Sequence, residues 1–341
     1  MTLDKLGRPF QGTAWYQIEN SYGLVSSPSL NSLPISCKIQ NIRIDTGDRH
    51  KVLRDIGSPL ACHLLKQIYE PKVHLEYIPQ AGDTIIDDMI DRAGNVIASK
   101  STCTLQSITM CIGFNTKGNM GANNVSYYVV DGMKPATIRI TGSKNTEYLV
   151  VVDYEARSIL TLDALTTYNN EILGVNVGVL DTASTGKAPN LLTGEYLQFH
   201  VAGEIRKTGG HVVNTDHIAF ITNSIELTVT HKLTPYTDHD AMYKSYLIEG
   251  DMDVEGTVDI TLDGGGAAHM YEVLANQSFE IVLDMGLMDA GANVPRITLP
   301  NCEWKSTSVE GNAGGEAIMS VVPFTCKPSS CSDLVSFPTS V

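Results

Sequence analysis

The sequence is short of basic residues, of aromatic rings and of long apolar runs, and each shortage narrows what the chain can be. Lys and Arg number 24 against 38 Asp and Glu, a formal net charge of −14. That balance argues against nucleic-acid binding driven by electrostatics, which needs clustered cations to displace condensed counterions. It leaves room for a protein that sits beside DNA without adhering to it. Apolar runs such as Tyr148 to Val152 fall far short of the ~20 residues a membrane-spanning helix requires. The opening Met-Thr-Leu-Asp-Lys-Leu-Gly-Arg-Pro lacks the apolar stretch of a secretory signal, so a protein made in a cytoplasm is expected. Aromatics make up 7%, with tryptophan only at Trp15 and Trp304, a poor supply for the ring platform of an adhesin or a β-sandwich binding module. The seven cysteines, Cys37, Cys62, Cys103, Cys111, Cys302, Cys326 and Cys331, form an odd, scattered set without a C-x-x-C. Buried reduced thiols are the expectation, with Cys326 and Cys331 the only pair close enough in sequence to suggest a local bridge.

Catalytic signatures are missing as well. There is no H-E-x-x-H, no G-x-S-x-G, no dinucleotide-binding glycine fingerprint and no EF-hand loop. Gly186-Lys187 resembles part of a phosphate loop, but Asp181 stands where its first glycine belongs and Ala188 replaces the Ser or Thr that would hold magnesium. Thr237-Asp238-His239-Asp240, with His231 nearby, is the densest titratable cluster. Without a matching pair elsewhere it reads as a solvated loop rather than a metal site. His63 and His269 sit in apolar stretches and read as packing residues. Asn124-Val125-Ser126 and Asn276-Gln277-Ser278 match the glycosylation sequon, but without a secretion signal they carry no meaning. No catalytic, cofactor or metal residue is assigned, and an enzyme is not expected.

What the sequence does contain is a globular composition, 43% hydrophobic and 18% charged over 341 residues, enough for about two domains. It also contains a repeat. Thr137 to Val152 lies on Ser306 to Val321 at a spacing of 169, placing Ile140 on Val309, Gly142 on Gly311 and Glu147 on Glu316. Both stretches read as strand, polar glycine turn and strand, a β-hairpin. Upstream, Pro71 to Tyr77 lies on Gly256 to Leu262 at a spacing of 185, and both alternate apolar with polar residues as half-buried strands do. A short helix is expected after each. In the first copy Asp83 is its N-cap and Ile85, Ile86, Met89 and Ile90 are its apolar face; in the second it covers Ala267 to Leu274. The shared order is strand, strand, helix, strand and hairpin, with Thr116 to Asn124 as an added loop in the first copy. Residues 1–170 and 171–341 are therefore read as two copies, joined through about Tyr168 to Leu192.

Three strands carry the clearest patterning. From Asp251 to Leu262, acidic and Thr residues alternate with Met252, Val254, Val258, Ile260 and Leu262. Ile225 to Thr230 repeats the pattern, and Phe279 to Met285 repeats it again. Such strands have one face for a core and one that is polar, and long strands with few edge prolines need partners.

This arrangement resembles the major tail tube proteins of tailed phages and related viruses. The resemblance rests on Gly-Thr-Val-Asp-Ile-Thr-Leu-Asp-Gly-Gly-Gly-Ala-Ala-His-Met-Tyr-Glu-Val-Leu, on Ser-Phe-Glu-Ile-Val-Leu-Asp after it, and on the closing hairpin from Cys302 to Phe324. It covers Ile225 to Phe324 well and Ile39 to Tyr154 more loosely. It implies a mainly β chain of two tandem tail-tube-like β-sandwich or barrel domains, each with one short α-helix, closing into a β-barrel tube on oligomerisation. Rings of three fused chains would mimic a hexamer and stack helically in a virion tail. The implied partners are the chain itself, the tape measure, tail tip and tail terminator proteins, and genomic DNA passing without specific binding; no membrane is involved. Tubes of secretion or injection machines are similar and form the alternative. Glu226, Asp253, Glu255 and Asp259 are the lumen-facing candidates. The segments Met1 to Leu30 and Lys327 to Val341 read as irregular arms that touch neighbouring rings.

Two quantities sharpen that expectation. Roughly four wall strands per copy give roughly 24 per ring; at ~4.8 Å spacing and ~40° tilt the cylinder is about 48 Å across, leaving about 38 Å inside the side chains. A DNA duplex fits. Residues 1–170 hold 16 basic and 16 acidic side chains, and residues 171–341 hold 8 and 22, so the whole excess charge belongs to the second copy.

Overall fold

The computed structural model describes residues 12–19, 21–23, 33–35, 39–47, 50–54, 61–66, 70–78, 105–115, 125–143, 148–162, 202–207, 217–238, 243–262, 279–284, 296–305 and 318–326. The strands within them are β1 (Gly12–Ile18), β2 (Leu33–Ile35), β3 (Ile39–Asp45), β4 (His50–Arg54), β5 (Ala61–Lys66), β6 (Lys72–Tyr77), β7 (Ile108–Asn115) and β8 (Val125–Ser143). They continue with β9 (Leu149–Glu155), β10 (Ser158–Leu162), β11 (Ala202–Lys207), β12 (His217–Tyr236), β13 (Tyr246–Leu262), β14 (Phe279–Asp284), β15 (Arg296–Trp304) and β16 (Ile318–Cys326). The described residues are all β and contain no helix. The helices expected near Asp83 and Ala267, and the loop Thr116 to Asn124, lie outside them.

Alternation explains these strands. In β6, Val73, Leu75 and Tyr77 are buried and Lys72 is exposed; in β9, Val150, Val152 and Tyr154 are buried and Asp153 is exposed. The same periodicity puts Ile225, Leu227 and Val229 of β12 and Val254 and Val258 of β13 inside. The patterned stretch at 225–230 is the middle of the 20-residue β12, and that at 251–262 is the C-terminal part of the 17-residue β13. β8 passes two residues that usually interrupt strands: Gly132, at φ 59°, and Pro135, beside a register shift on the β9 side. The segment read as an irregular N-terminal arm contains β1, which pairs with β7 from Gly12↔Phe114 to Ile18↔Ile108. Its alternation is too short to stand out, and β7 completes it.

Fourteen strands pair antiparallel in one network, and β4 and β5 form a separate hairpin. Eight strands lie side by side in the order β3-β6-β9-β8-β12-β13-β16-β15. The network is not closed as a whole, since β2, β3 and β10 each have one strand partner among the described residues. At its other end β11 pairs with both β14 and β12.

The pairings occur twice. In the first half β1 pairs β7, β7 pairs β8, β8 pairs β9, β9 pairs β6 and β6 pairs β3. In the second half β11, β14, β15, β16, β13 and β12 follow the same order. Registers agree: Ile44 opposes Val73 as Ile225 opposes Val258. Met110 opposes Val130 as Ile281 opposes Leu299, each next to a one-residue shift at Ile108/Met110 or Phe279/Ile281. Gly132 and Asn301, 169 apart, are both left-handed, at φ 59° and 53°, a conformation that Gly and Asn tolerate best.

The spacing of 169 fits β8 on β15 but not the strand after the turn. Val73 opposes Tyr154 and Val258 opposes Val322, so β9 lies on β16 at 168 when β6 lies on β13 at 185. Burial requires an even spacing there, because Val150, Val152 and Tyr154 are buried and so are Phe324 and Cys326. A one-residue slip would have turned every side chain to the other face.

One apolar cluster runs under both halves, from Leu75, Val152 and Ile140 through Leu227 and Val258 to Phe324, with Met110, Ile112 and Met133 packed in from β7 and β8. Position 256, beside this cluster, takes glycine for a steric reason: a Cβ there would collide with the Phe324 ring and the Glu226 carbonyl oxygen. Cys302 and Cys326, opposed on β15 and β16, form a disulfide. That corrects the expectation of reduced thiols and of Cys331 as the nearest partner for Cys326. Sheet pairing brings together cysteines 24 residues apart, which sequence proximity could not show. Cys111 stays a free buried thiol whose pKa is pushed up to about 12 by burial.

Candidate functional site

Two features stand out from the ordinary surface of a β protein: a polar face shared by both halves, and the seam where they join. The face follows from alternation. With Val254 and Val258 inward, residues 253, 255, 257 and 259 of β13 face the other way, and Glu226 of β12 opposes Thr257. Glu226, Asp253, Glu255 and Asp259 therefore share one side of the sheet, opposite the core.

That side is less bare than a count of carboxylates implies. Arg139 of β8 stands 3.8 Å from Glu226, Lys232 of β12 stands 3.3 Å from Asp253, and Lys305 donates to Glu255 at 2.5 Å. Asp259 is half-buried. The face continues into the first half, where His74 Nδ1 and Asp153 Oδ1 are 2.7 Å apart and Arg43 and Asp45 are 3.5 Å apart. Exposed pairs of this kind contribute about 0–1 kcal/mol each, so their main effect is on the local field. The result is a sheet surface of alternating charge, with acid in modest excess toward β13.

The seam is the pairing of β8 with β12, from Thr137↔Thr230 to Ser143↔Ser224. Buried ions flank it. Lys134 of β8, 2% exposed, is ion-paired with Glu249 of β13, and its Nζ also donates to the Leu247 carbonyl at 3.2 Å. The same ammonium lies 4.4 Å from the Tyr246 ring centre and 5.3 Å from that of Tyr22, within cation–π range. Lys244, 1% exposed, donates to Glu155 of β9 at 2.9 Å. Each pair joins one half to the other, and each buried ammonium has an acid, with the Leu247 carbonyl and two aromatic rings added at Lys134, as burial of charge demands.

Behind Lys134 the chain is tied by Glu19. Its carboxylate accepts from Thr109 Oγ1 at 2.6 Å and from the Gly132 and Gly23 amides at 2.7 Å. Tyr22, between Glu19 and Tyr246, has its phenol pKa pushed up by burial and then by the Glu19 charge. Asp131 is raised by burial, against the lowering effect of the Ser158 hydroxyl and of Arg157. None of Glu19, Lys134, Lys244 or Glu249 had a signal in the sequence, since nothing local marks a lysine whose partner lies more than 80 residues away.

Of the titratable cluster at 237–240, His239 and Asp240 fall outside the described residues; the Asp238 amide donates to Ser245 Oγ at 3.1 Å, tying the end of β12 to the start of β13. Among the described residues no three His, Cys, Asp or Glu side chains converge as metal ligands do. Compared with family models and with curated proteins, the chain finds no match.

Proposed function

We propose that the chain is the duplicated subunit of a viral tail tube, a structural protein that stacks as rings into a conduit for DNA. The observation that carries this reading is the recurrence of one strand circuit in both halves, joined edge to edge through β8 and β12. Of the fourteen strands in the network, this reading assigns four from each half to the wall of the tube, β3, β6, β9 and β8 from the first and β12, β13, β16 and β15 from the second. Four per half is the number that gives a three-chain ring roughly 24 strands and a bore of about 38 Å. In this reading residues 1–170 and 171–341 are two tube domains and the polar face lines the bore.

Glu226, Asp253, Glu255 and Asp259 then face passing DNA. Their neighbours Arg139, Lys232 and Lys305 offset most of their charge at short range. A lumen of this kind repels a duplex weakly and gives it no cluster of cations to hold it. Since the net charge of −14 falls wholly in the second half, the bore would carry acidic sectors alternating with neutral ones. Asp253→Asn, Glu255→Gln and Asp259→Asn made together should leave assembly intact and slow DNA ejection severalfold. Normal ejection kinetics at normal tube yield would place these residues outside the bore.

A further inference from the structure

We propose that the Cys302–Cys326 bond is a reversible redox latch, which opens and closes in a thiol–disulfide buffer while the chain stays folded, and which sets how firmly the end of β15 is held against β16. The latch is independent of the tube reading.

The two strands are held in place without the bond. β16 pairs with β13 from Val254↔Cys326 to Leu262↔Ile318, and β15 pairs with β14 from Asp284↔Arg296 to Phe279↔Cys302. Past the cysteines the Lys305 amide donates to the Pro323 carbonyl at 2.9 Å. Cutting the bond therefore removes no strand from the network. The reduced state is also provided for. β15 bends at the left-handed Asn301, beside the register shift at Phe279/Ile281, and a bulge of this kind re-aims neighbouring side chains. Cys302 Sγ lies 3.2 Å from the Leu299 carbonyl oxygen. A disulfide sulfur has no hydrogen to give that oxygen, but a thiol does, so reduction leaves no buried donor without an acceptor.

The two sulfurs are unequal, since Cys326 is 5% exposed and Cys302 0%, and a small thiol such as glutathione meets Cys326 first. Its thiolate attacks Cys326 Sγ, the S–S bond breaks, and Cys302 leaves as a thiolate. That thiolate takes up the proton the glutathione thiol released and donates it in a hydrogen bond to Leu299. A second glutathione thiolate displaces Cys326 from the mixed disulfide, leaving two protein thiols and one oxidised glutathione. Oxidised glutathione reverses both steps. The output lies on the polar face. Thr325, next to Cys326, opposes Glu303 on β15 and Glu255 on β13, and Lys305 donates to Glu255 at 2.5 Å. The bond fixes the strand end that carries Lys305; opening it lets this cation leave Glu255 and bares the carboxylate. The first half has no such bond, because the spacing of 169 puts Met133 at the place of Cys302.

The test is to equilibrate the full chain across mixtures of reduced and oxidised glutathione, trap thiols by alkylation and map the peptides by mass spectrometry. The bond should pass from closed to open within those mixtures while circular dichroism stays that of the folded chain. Hydrogen exchange at 302–305 and 324–326 should quicken about tenfold or more on opening, and that at 149–155 should not change. Cys302→Ala with Cys326→Ala should exchange as the open form does in every mixture. A bond that stays closed in reduced glutathione alone, or never forms in oxidised glutathione, would overturn the latch. So would reduction that unfolds the chain, exchange at the two strand ends that ignores the bond, or Cys326 found bonded to Cys331 instead.

Discussion

The Lys134 ammonium of β8 meets the Glu249 carboxylate of β13, and the two residues come from opposite halves of the chain. With the Lys244–Glu155 pair it makes the seam an ionic as well as a hydrogen-bonded contact. Removing Lys134 leaves the Glu249 carboxylate, only 10% exposed, without its cation. Lys134→Met should cost about 3–5 kcal/mol of folding stability, and Lys134→Met with Glu249→Leu should recover most of it. Urea unfolding of the two single variants and the double variant measures the coupling; additive losses would mean that the pair is not coupled.

The Cys302–Cys326 bond closes a loop of 24 residues between adjacent strands. Its loss in Cys302→Ala with Cys326→Ala should lower stability by about 3 kcal/mol. Reductant should lower the unfolding midpoint of the unmodified chain to a similar degree and leave the double variant unaffected. A reductant-insensitive midpoint would show that the bond does not support the sheet.

Gly256 tests the packing under the polar face. Gly256→Ala places a methyl group against the Phe324 ring and the Glu226 carbonyl, an overpacking expected to cost about 1–3 kcal/mol. Because the Phe324 ring is one of the two obstacles, Phe324→Leu in the same chain should reduce that penalty. Thermal unfolding of the single and double variants checks it.

Asp131 gives a pH dependence whose sign can be worked out. Burial raises its folded-state pKa above the unfolded value. Its stabilising contribution is then fully present below the unfolded carboxyl range and is lost as pH rises through the folded pKa. Asp131→Asn should gain stability relative to the parent at neutral pH and lose that advantage under acid. Unfolding midpoints measured across that range decide it; a variant less stable at neutral pH and equal in acid would reverse the sign.

Local patterning made the strands legible and left their partners hidden. Asp251 to Leu262 and Ile225 to Thr230 announce themselves because acidic or Thr residues alternate with Val, Ile and Leu, and β6 and β9 do so because Val and Tyr alternate with charge. The repeat was legible for the same reason, through matching alternation at spacings of 185 and 169. What stayed hidden is what only pairing creates: β1 as a strand, β8 continuing through Gly132 and Pro135, and the disulfide from β15 to β16. The even spacing of β9 and β16 was hidden by the turn before them, since a turn can change length by one residue without disturbing either strand's own pattern. Glu226, Asp253, Glu255 and Asp259 could be placed on one face from alternation alone. Their cations Arg139, from β8, and Lys305, just past the end of β15, come from elsewhere in the chain and could not.

Electron microscopy of the purified protein as its concentration is raised decides whether the chain builds a tube. The expected result is hollow tubes of uniform width, built of stacked rings of three chains, with a bore wide enough for a DNA duplex. A monodisperse monomer at every concentration, or solid aggregates without a channel, would contradict it.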